Sequence, residues 1–555
     1  MDTKLVLVLA FLSVHVVSSP FGLVHGSTTM SPCSQAPYPE LCNSLIGTKP
    51  LGTPDETQFD LRKSAIRVTL NQAQQAYSLV SSMDVSSFDK RAKLAWADCL
   101  ELYDDTVYQL NRSINSKDQT SAQTWLSAAI TNQQTCKNGF IDLNLSSHLE
   151  SFPVNMLSDL SKLLGNSLAL NKATSSISSN FAKMTRNRRL LADGFPEWVS
   201  SADRKLLQSS SPSADIVVAQ DGSGNYKTIS EAVAASNGGT NRFVIYIKAG
   251  VYNENVVIKR SMKNLMFIGD GIDATIVTGN KNNQAGSTTF RSATVGVPCD
   301  TGGAGGSQSL GVLNITLVVL ASINEVGVSG DGFIARDMTF ENTAGPQKHQ
   351  AVALRSSSDH SVFYSCSFKG YQDTLYVYAL RQFFRNCNVY GTVDFIFGNA
   401  VVVFQSCNIY VRKPMSNQQN TVTAQGRTDP NQNTGIVIHN SIVTASSDMK
   451  PVQGSFKTYL GRPWHKYSRT VFMKCTLDSL INPAGWAPWS GSFLSTLYYG
   501  EYMNTGAGAS TGGRVKWPGY HVITSPTEAG KFTVGNFLGG DGWIPASGVP
   551  YTAGL

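Results

Sequence analysis

One pattern, repeated four times, constrains this chain more than any other feature. Phe363-x-x-Cys366-x-Phe368, Phe384-x-x-Cys387-x-Val389 and Phe404-x-x-Cys407-x-Ile409 place their cysteines 21 and then 20 positions apart, and Phe472-x-x-Cys475-x-Leu477 repeats the pattern further on. Alternating apolar residues bounded by Gly, Asn and Asp turns read as short strands, and a short fixed period points to stacked coils. Two aspartates ride on this repeat. Asp373, in Gly370-Tyr371-Gln372-Asp373-Thr374-Leu375-Tyr376, and Asp394, in Gly391-Thr392-Val393-Asp394-Phe395-Ile396-Phe397-Gly398, each lie seven residues after a cysteine. They therefore occupy one point on successive coils.

Parallel neighbours lie ~4.8 Å apart, so two carboxylates stacked this way cannot both ionise cheaply, and one pKa should rise. That difference separates an acid from a base or nucleophile. On spacing alone, a polar ladder at coil turns is an equal alternative. The setting of Asp394 among Val393, Phe395, Ile396 and Phe397 favours chemistry, because a carboxylate among aromatics is costly without a partner or a task.

A length of 555 residues with 41% hydrophobic content accommodates more than one folded domain. Residues 1–26, with Lys4, an apolar run from Leu5 to Val17 and then small residues, read as a secretory signal and are too short to favour a membrane span. Export makes the nine cysteines candidates for disulfides. It also makes Asn111, Asn144 and Asn314, each in an Asn-x-Ser/Thr sequon, usable glycan acceptors. A net charge of +7 without a dense basic run suits retention on an acidic polysaccharide better than on nucleic acid.

Between residues 27 and 190 the only glycines are Gly47, Gly52, Gly139 and Gly165, out of 48 in the chain. Helix-compatible apolar spacing runs over Thr57 to Met83, Lys90 to Leu110, Ser121 to Gly139 and Val154 to Met184. Four such helices with short connections predict an antiparallel all-α bundle. Cys33 with Cys42 would staple its N-terminal hairpin, and Cys99 with Cys136 would tie two helices. A polar, basic connector follows, in which Arg188-Arg189-Leu190-Leu191 and Arg204-Lys205-Leu206-Leu207 read as protease processing sites. From Ala214 the chain becomes glycine-rich and strand-like, as in Phe243 to Ile247, Leu265 to Ile268, Phe333 to Ala335 and Ile436 to Ile438. A parallel β-helix is the economical reading, and an antiparallel sandwich is its alternative.

Residues 214–555 resemble plant pectin methylesterases. The resemblance rests on Asp221-Gly-Ser-Gly224, Lys248-Ala-Gly-Val-Tyr252, Gly269-Asp-Gly271, His349-Gln-Ala-Val-Ala-Leu-Arg355, both aspartate motifs, Thr423-Ala-Gln-Gly-Arg427 and Leu460-Gly-Arg-Pro-Trp464. Residues 27–185 resemble the invertase and pectin methylesterase inhibitor domain, down to Trp125-Leu-Ser-Ala-Ala129 and Thr131-Asn-Gln133. The implied protein is a right-handed parallel β-helix preceded by a four-helix bundle, joined by a processing linker over 186–213.

The implied activity is hydrolysis of galacturonate methyl esters in cell-wall pectin, without a metal or other cofactor. In that scheme Asp394 is the nucleophile and Asp373 the acid/base. Gln372 and Gln350 hold the oxyanion, Arg462 orients the nucleophile, and Trp464 and Thr289 contact the sugar. Among the stacked cysteines Cys366–Cys387 and Cys387–Cys407 are both feasible, and the family pattern selects Cys387 with Cys407. The implied partners are methyl-esterified homogalacturonan, a linker protease and proteinaceous pectinesterase inhibitors, with no nucleic acid, and the protein is expected to be a secreted, extracellular monomer of the plant cell wall.

One segment departs from the family. Residues 298–328, 31 in all, separate Ser292-Ala-Thr-Val-Gly-Val297 from Ser329-Gly-Asp-Gly-Phe333, and they end in Val326-Gly-Val328, an echo of Val295-Gly-Val297. Their glycine run and apolar stretch read as a retained intron or a gene-model artefact. Two other functional classes compete with esterase chemistry. A β-helix lyase or polygalacturonase needs a calcium-binding acidic cluster or its own set of aspartates, neither of which is evident near Asp373 and Asp394. A non-enzymatic inhibitor or wall-binding protein would leave the β-helix inert.

Overall fold

A computed structural model describes residues 32–46, 54–151, 154–182, 213–236, 239–296, 327–490 and 493–555. The leader expected over 1–26, the connector residues Arg188, Arg189, Arg204 and Lys205, and Asn314 lie outside these residues.

The first part is helical: α1 (Pro39–Ile46), α2 (Pro54–Ser81), α3 (Lys90–Ile114), α4 (Gln119–Asp142) and α5 (Val154–Ala182). The four long helices fall where apolar spacing places them. α1, at eight residues, is too short for that spacing to register. Asp89 caps α3 by accepting from Ala92 N at 2.7 Å, and Asp118 caps α4 by accepting from Thr120 N and Ser121 N. Both caps satisfy amides that the first turn leaves open. Cys33–Cys42 and Cys99–Cys136 are bonded, the second joining α3 to α4.

The rest is a right-handed parallel β-helix. Each coil contributes to a 17-stranded sheet that wraps two sides and to an 8-stranded sheet on the third. Register across the smaller sheet runs Leu354↔Leu375, Leu375↔Ile396 and Ile396↔Thr423. Ser365, Asn386, Ser406 and Lys474 have φ between 50° and 56°. Each immediately precedes a repeat cysteine, so the chain bends sharply once per coil. Phe363, Phe384 and Phe404 then stack inside, with centroids 4.6 and 4.4 Å apart. The 20- to 21-residue period is therefore one coil.

The cysteine ladder corrects one expectation. Cys387 and Cys407 are separate buried thiols, as are Cys366 and Cys475. In-register parallel neighbours, Asn388↔Asn408 being the next pair, project their Cβ atoms in the same direction, which works against the near-90° torsion of a disulfide. Instead Cys387 Sγ donates to Phe363 O and Cys407 Sγ to Phe384 O, at 3.3 and 3.6 Å.

The flanks of the departing segment share a single rung. Val295–Gly296 and Gly327–Val328 both pair with Val256–Ile258 on one side and Leu354–Ser356 on the other. Val295 takes the first place of that strand, Val328 the third, and Gly296 and Gly327 meet at the second, both opposite Val257. Two chain ends thus do the work of one Val-Gly-Val strand.

The bundle packs on the outer face of the 8-stranded sheet. Leu126, Ile130 and Phe140 belong to one continuous apolar cluster with Phe290, Tyr376, Tyr378 and Phe397 of the β-helix.

Candidate active site

Asp373 and Asp394 stand just before the strands Leu375–Val377 and Ile396–Gly398, which pair in parallel. Both have left-handed backbone, with φ of 62° and 51°, conformations that non-glycine residues hold only when their surroundings enforce them. At Asp394 the enforcement is visible. Its N–H donates to Thr421 Oγ1 at 2.9 Å, and that hydroxyl donates back to Asp394 Oδ1 at 2.6 Å. Upstream, Gly391 lies where a Cβ would run into Phe395, so the loop closes only around glycine.

Arg462 grips the Asp394 carboxylate with both edges of its fork, Nε to Oδ1 at 2.8 Å and Nη2 to Oδ2 at 2.6 Å. The guanidinium also lies over the Trp489 ring, 4.1 Å from its centroid. This bidentate contact fixes the orientation of the carboxylate. Asp373 has no such clamp. Loss of hydration pushes its carboxyl well above the ordinary range, repulsion from Asp394 and then Asp142 adds to this, and Arg462 opposes it. One carboxyl is thereby disposed to hold a proton beside a clamped carboxylate, the division of roles that acid-assisted nucleophilic chemistry needs.

Both open onto a cavity of ≈ 240 Å³, also lined by Gln350, Gln372, Thr289, Arg462 and Trp464. The amides of Gln350 and Gln372 lie on adjacent coils, Ala351 N donating to Gln372 O at 3.2 Å. Every residue singled out from the sequence as catalytic or substrate-binding borders this one cavity. Trp489, Phe397, Tyr376 and Thr288 line it too, and Thr421 supports it. Trp489 was legible only as an aromatic in Trp486-Ala-Pro-Trp489, and nothing in the order of the chain ties it to Arg462.

The bundle supplies a further wall that sequence reading did not place. Thr135, Asn138, Gly139 and Asp142 of α4 face the aspartates across the cavity, and Asp142 accepts from Thr289 Oγ1 at 3.1 Å. Alongside, Asp98 of α3 accepts from Thr288 Oγ1 at 2.6 Å and pairs with Arg291 Nε. Farther out, Trp125 Nε1 donates to Asp359 Oδ2 at 2.9 Å and Arg112 lies over the Trp125 ring. Asn111 and Asn144 are exposed. No described helix is long and apolar enough to cross a membrane.

The profile of the Pectinesterase family matches residues 215–304 and 318–541, leaving a gap inside the departing segment, and that of the plant invertase/pectin methylesterase inhibitor family matches 28–170. Pectinesterase 2 of Citrus sinensis is 52% identical over 96% of this chain and 98% of its own length. Probable pectinesterase/pectinesterase inhibitor 6 of Arabidopsis thaliana is 52% identical over 98% of this chain and 96% of its own. The solved pectin methylesterase from carrot is 56% identical, with a TM-score of 0.56, over 62% of this chain and all of that one. The chain therefore belongs to the Pectinesterase family, with an inhibitor-type helical domain ahead of its catalytic β-helix.

Proposed function

We propose that Asp394 is the nucleophile and Asp373 the acid/base of a carboxylic ester hydrolase acting on the methyl esters of homogalacturonan. The chain is a pectinesterase, and the observation that carries the assignment of roles is the clamped Asp394 carboxylate beside an Asp373 carboxyl pushed well upward. Asp394 attacks the ester carbonyl carbon, and the oxyanion that forms is held by the amides of Gln350 and Gln372. Asp373 gives its proton to the departing methoxy oxygen and methanol leaves. The Asp373 carboxylate then takes a proton from water, which attacks the acyl carbon and expels Asp394 as carboxylate. Trp464 and Thr289 hold the sugar.

Methanol release from methyl-esterified homogalacturonan is the direct test. Unsaturated product would point to a lyase and new reducing ends to a polygalacturonase, and either in place of methanol would defeat the reading. Gln372→Ala should lower kcat by about 10²- to 10³-fold, measured as methanol release at saturating substrate, while an unchanged kcat would remove Gln372 from the oxyanion site.

The docked bundle supports autoinhibition. The chain is exported on its leader, its β-helix is released by cleavage at Arg188-Arg189 or Arg204-Lys205, and it acts in the plant cell wall. Latency should depend on pH. Burial is the largest influence on the docking-face carboxyls Glu101 and Asp98 and raises both, Glu101 to about 7. Arg291 and Arg355 oppose this at both. A carboxyl whose docked pKa exceeds its ordinary value of about 4 takes up a proton on docking. Its contribution is full below about pH 4 and fades as pH climbs towards 7. Latency of the full chain should therefore weaken between about pH 5 and pH 7, and a flat ratio of full-chain to processed activity across that range would contradict the linkage.

Residues 298–328 are a retained intron or a gene-model artefact. The support is the single rung shared by Val295–Gly296 and Gly327–Val328. Deleting 298–328 leaves Val295-Gly296-Val297 running straight into Ser329, one strand in place of two ends. Closing a loop of this length costs on the order of 2–3 kcal/mol, so the shortened chain should melt several degrees higher by calorimetry. A lower melting temperature would mean that the segment contributes to the fold, and a full-abundance transcript encoding it would defeat the artefact reading.

A further inference from the structure

The docked bundle walls the active-site cavity without touching the reacting groups inside it. Thr135, Asn138, Gly139 and Asp142 of α4 form the wall, and Asp142 accepts from Thr289 Oγ1 at 3.1 Å. Asp394 is held by Arg462 and Thr421, both of the β-helix. Among the described residues, no bundle side chain hydrogen-bonds to Asp373, Asp394, Gln350, Gln372 or Arg462. Gly139 borders the space without a side chain, so α4 covers the groove and does not fill it.

A volume of ≈ 240 Å³ remains between the two walls. Pockets that enclose drug-sized ligands measure about 300–1,000 Å³, and one water takes up about 30 Å³ of the liquid. The space therefore holds several waters, or a molecule on the order of one sugar, and has no room for a strand of linked sugars. It also reaches solvent. With the bundle in place Asp142 is exposed, and Gln350, Gln372, Trp464 and Trp489 are half-buried, so the cavity keeps a mouth through which a small molecule can enter.

We infer that the uncleaved chain retains a working reaction centre that hydrolyses methyl esters of small hydroxy acids, up to the size of a single sugar, while the docked bundle excludes the polymer. The inference rests on the esterase and autoinhibition readings, and it makes latency a matter of size. The chemistry inside is unchanged. Asp394 attacks the ester carbonyl carbon, and the Asp373 proton leaves with the methoxy oxygen as methanol. Water entering by the mouth then attacks the acyl carbon, returns a proton to Asp373 and frees Asp394 as carboxylate. Because Asp142 takes up the Thr289 hydroxyl, a small ester should bind up to about tenfold more weakly than in the processed enzyme, the scale of one hydrogen bond.

The test compares the uncleaved chain with the same chain after cleavage in its connector, using two small probes and the polymer. The first probe is glycidol, a small epoxide. The Asp394 carboxylate attacks a ring carbon, the ring C–O bond breaks, and the Asp373 proton passes to the freed oxygen, leaving an ester on Asp394 that mass spectrometry of its peptide detects. The second is the methyl ester of galacturonic acid, followed by methanol release. Both forms should be labelled at Asp394, and both should release methanol from the small ester at rates within about tenfold of each other. Methyl-esterified homogalacturonan should separate them by about 30-fold or more, the docked population expected of a well-anchored interface. An uncleaved chain that is not labelled at Asp394, or that releases no methanol from the small ester, would overturn the inference. Equal release from the polymer by both forms would defeat autoinhibition and the size limit with it. If the processed form also goes unlabelled, the nucleophile reading fails too, whereas labelling of the processed form alone overturns this inference and leaves that reading standing.

Discussion

Asp394→Ala is expected to reduce methanol release from methyl-esterified homogalacturonan by about 10⁴-fold or more, the scale on which loss of a covalent nucleophile is felt. The size follows from the geometry. Asp394 is the carboxylate that Arg462 and Thr421 hold in one orientation, and Asp373, disposed to be protonated, cannot replace it as an attacking group. Substrate binding should survive, because Trp464 and the glutamine amides are untouched. The variant leaves Arg462 without its partner in a largely enclosed place, so thermal unfolding must be measured alongside activity. Asp394→Asn keeps the shape and most of the hydrogen bonds, and it should be nearly as inactive with a smaller loss of stability. Methanol release by a folded Asp394→Asn variant at the unmodified rate would remove Asp394 from the nucleophile's role.

Opening the bundle should have the largest effect in the opposite direction. Trp125 and Arg112 act as one anchor. The indole N–H reaches Asp359, Arg112 stacks on the indole at 4.0 Å and reaches Asp331 and Asp359, and Asp359 is itself gripped by Arg381 of the β-helix at 2.7 and 2.8 Å. Aromatic and arginine side chains buried at such centres dominate interface energetics, and truncating one costs on the order of 2–4 kcal/mol, or about 30- to 1000-fold in the docked population. The double variant Trp125→Ala, Arg112→Ala should therefore raise methanol release by the uncleaved chain towards that of the processed enzyme. The anchor lies away from the aspartate pair, so the processed enzyme's own rate serves as the control. An uncleaved double variant as silent as the unmodified full chain would show that docking at this anchor does not impose latency.

The repeat, the helical half and the stacking of the two aspartates were all legible in the linear chain, and for one reason. A coil of fixed length converts sequence distance into spatial register, so Asp373 and Asp394 could be stacked from their common offset to Cys366 and Cys387. Helical periodicity did the same for α2 to α5. Register also set a limit, because it brought Cys387 and Cys407 close without fixing the direction of their Cβ atoms. Parallel in-register strands point both side chains into one core column and leave them as thiols.

What the order of residues could not convey is where the two halves meet. Asp98, Asp142, Arg291 and Trp489 lie far apart in sequence, and none belongs to a period that would predict a neighbour. Their encounter depends on which face of the 8-stranded sheet receives α3 and α4, a choice made by burial of Phe140 and Ile130 against Tyr376, Tyr378 and Phe397. Likewise the echo of Val295-Gly-Val297 in Val326-Gly-Val328 was visible as text, yet only the ladder placed Val295 and Val328 in one strand. The sequence by itself determined the coil and the stacking of the aspartate pair, because these depend on local period. The tertiary structure decided what covers the pair and which carboxyl groups stand in the groove, because docking is set by the summed burial of side chains that no local spacing relates.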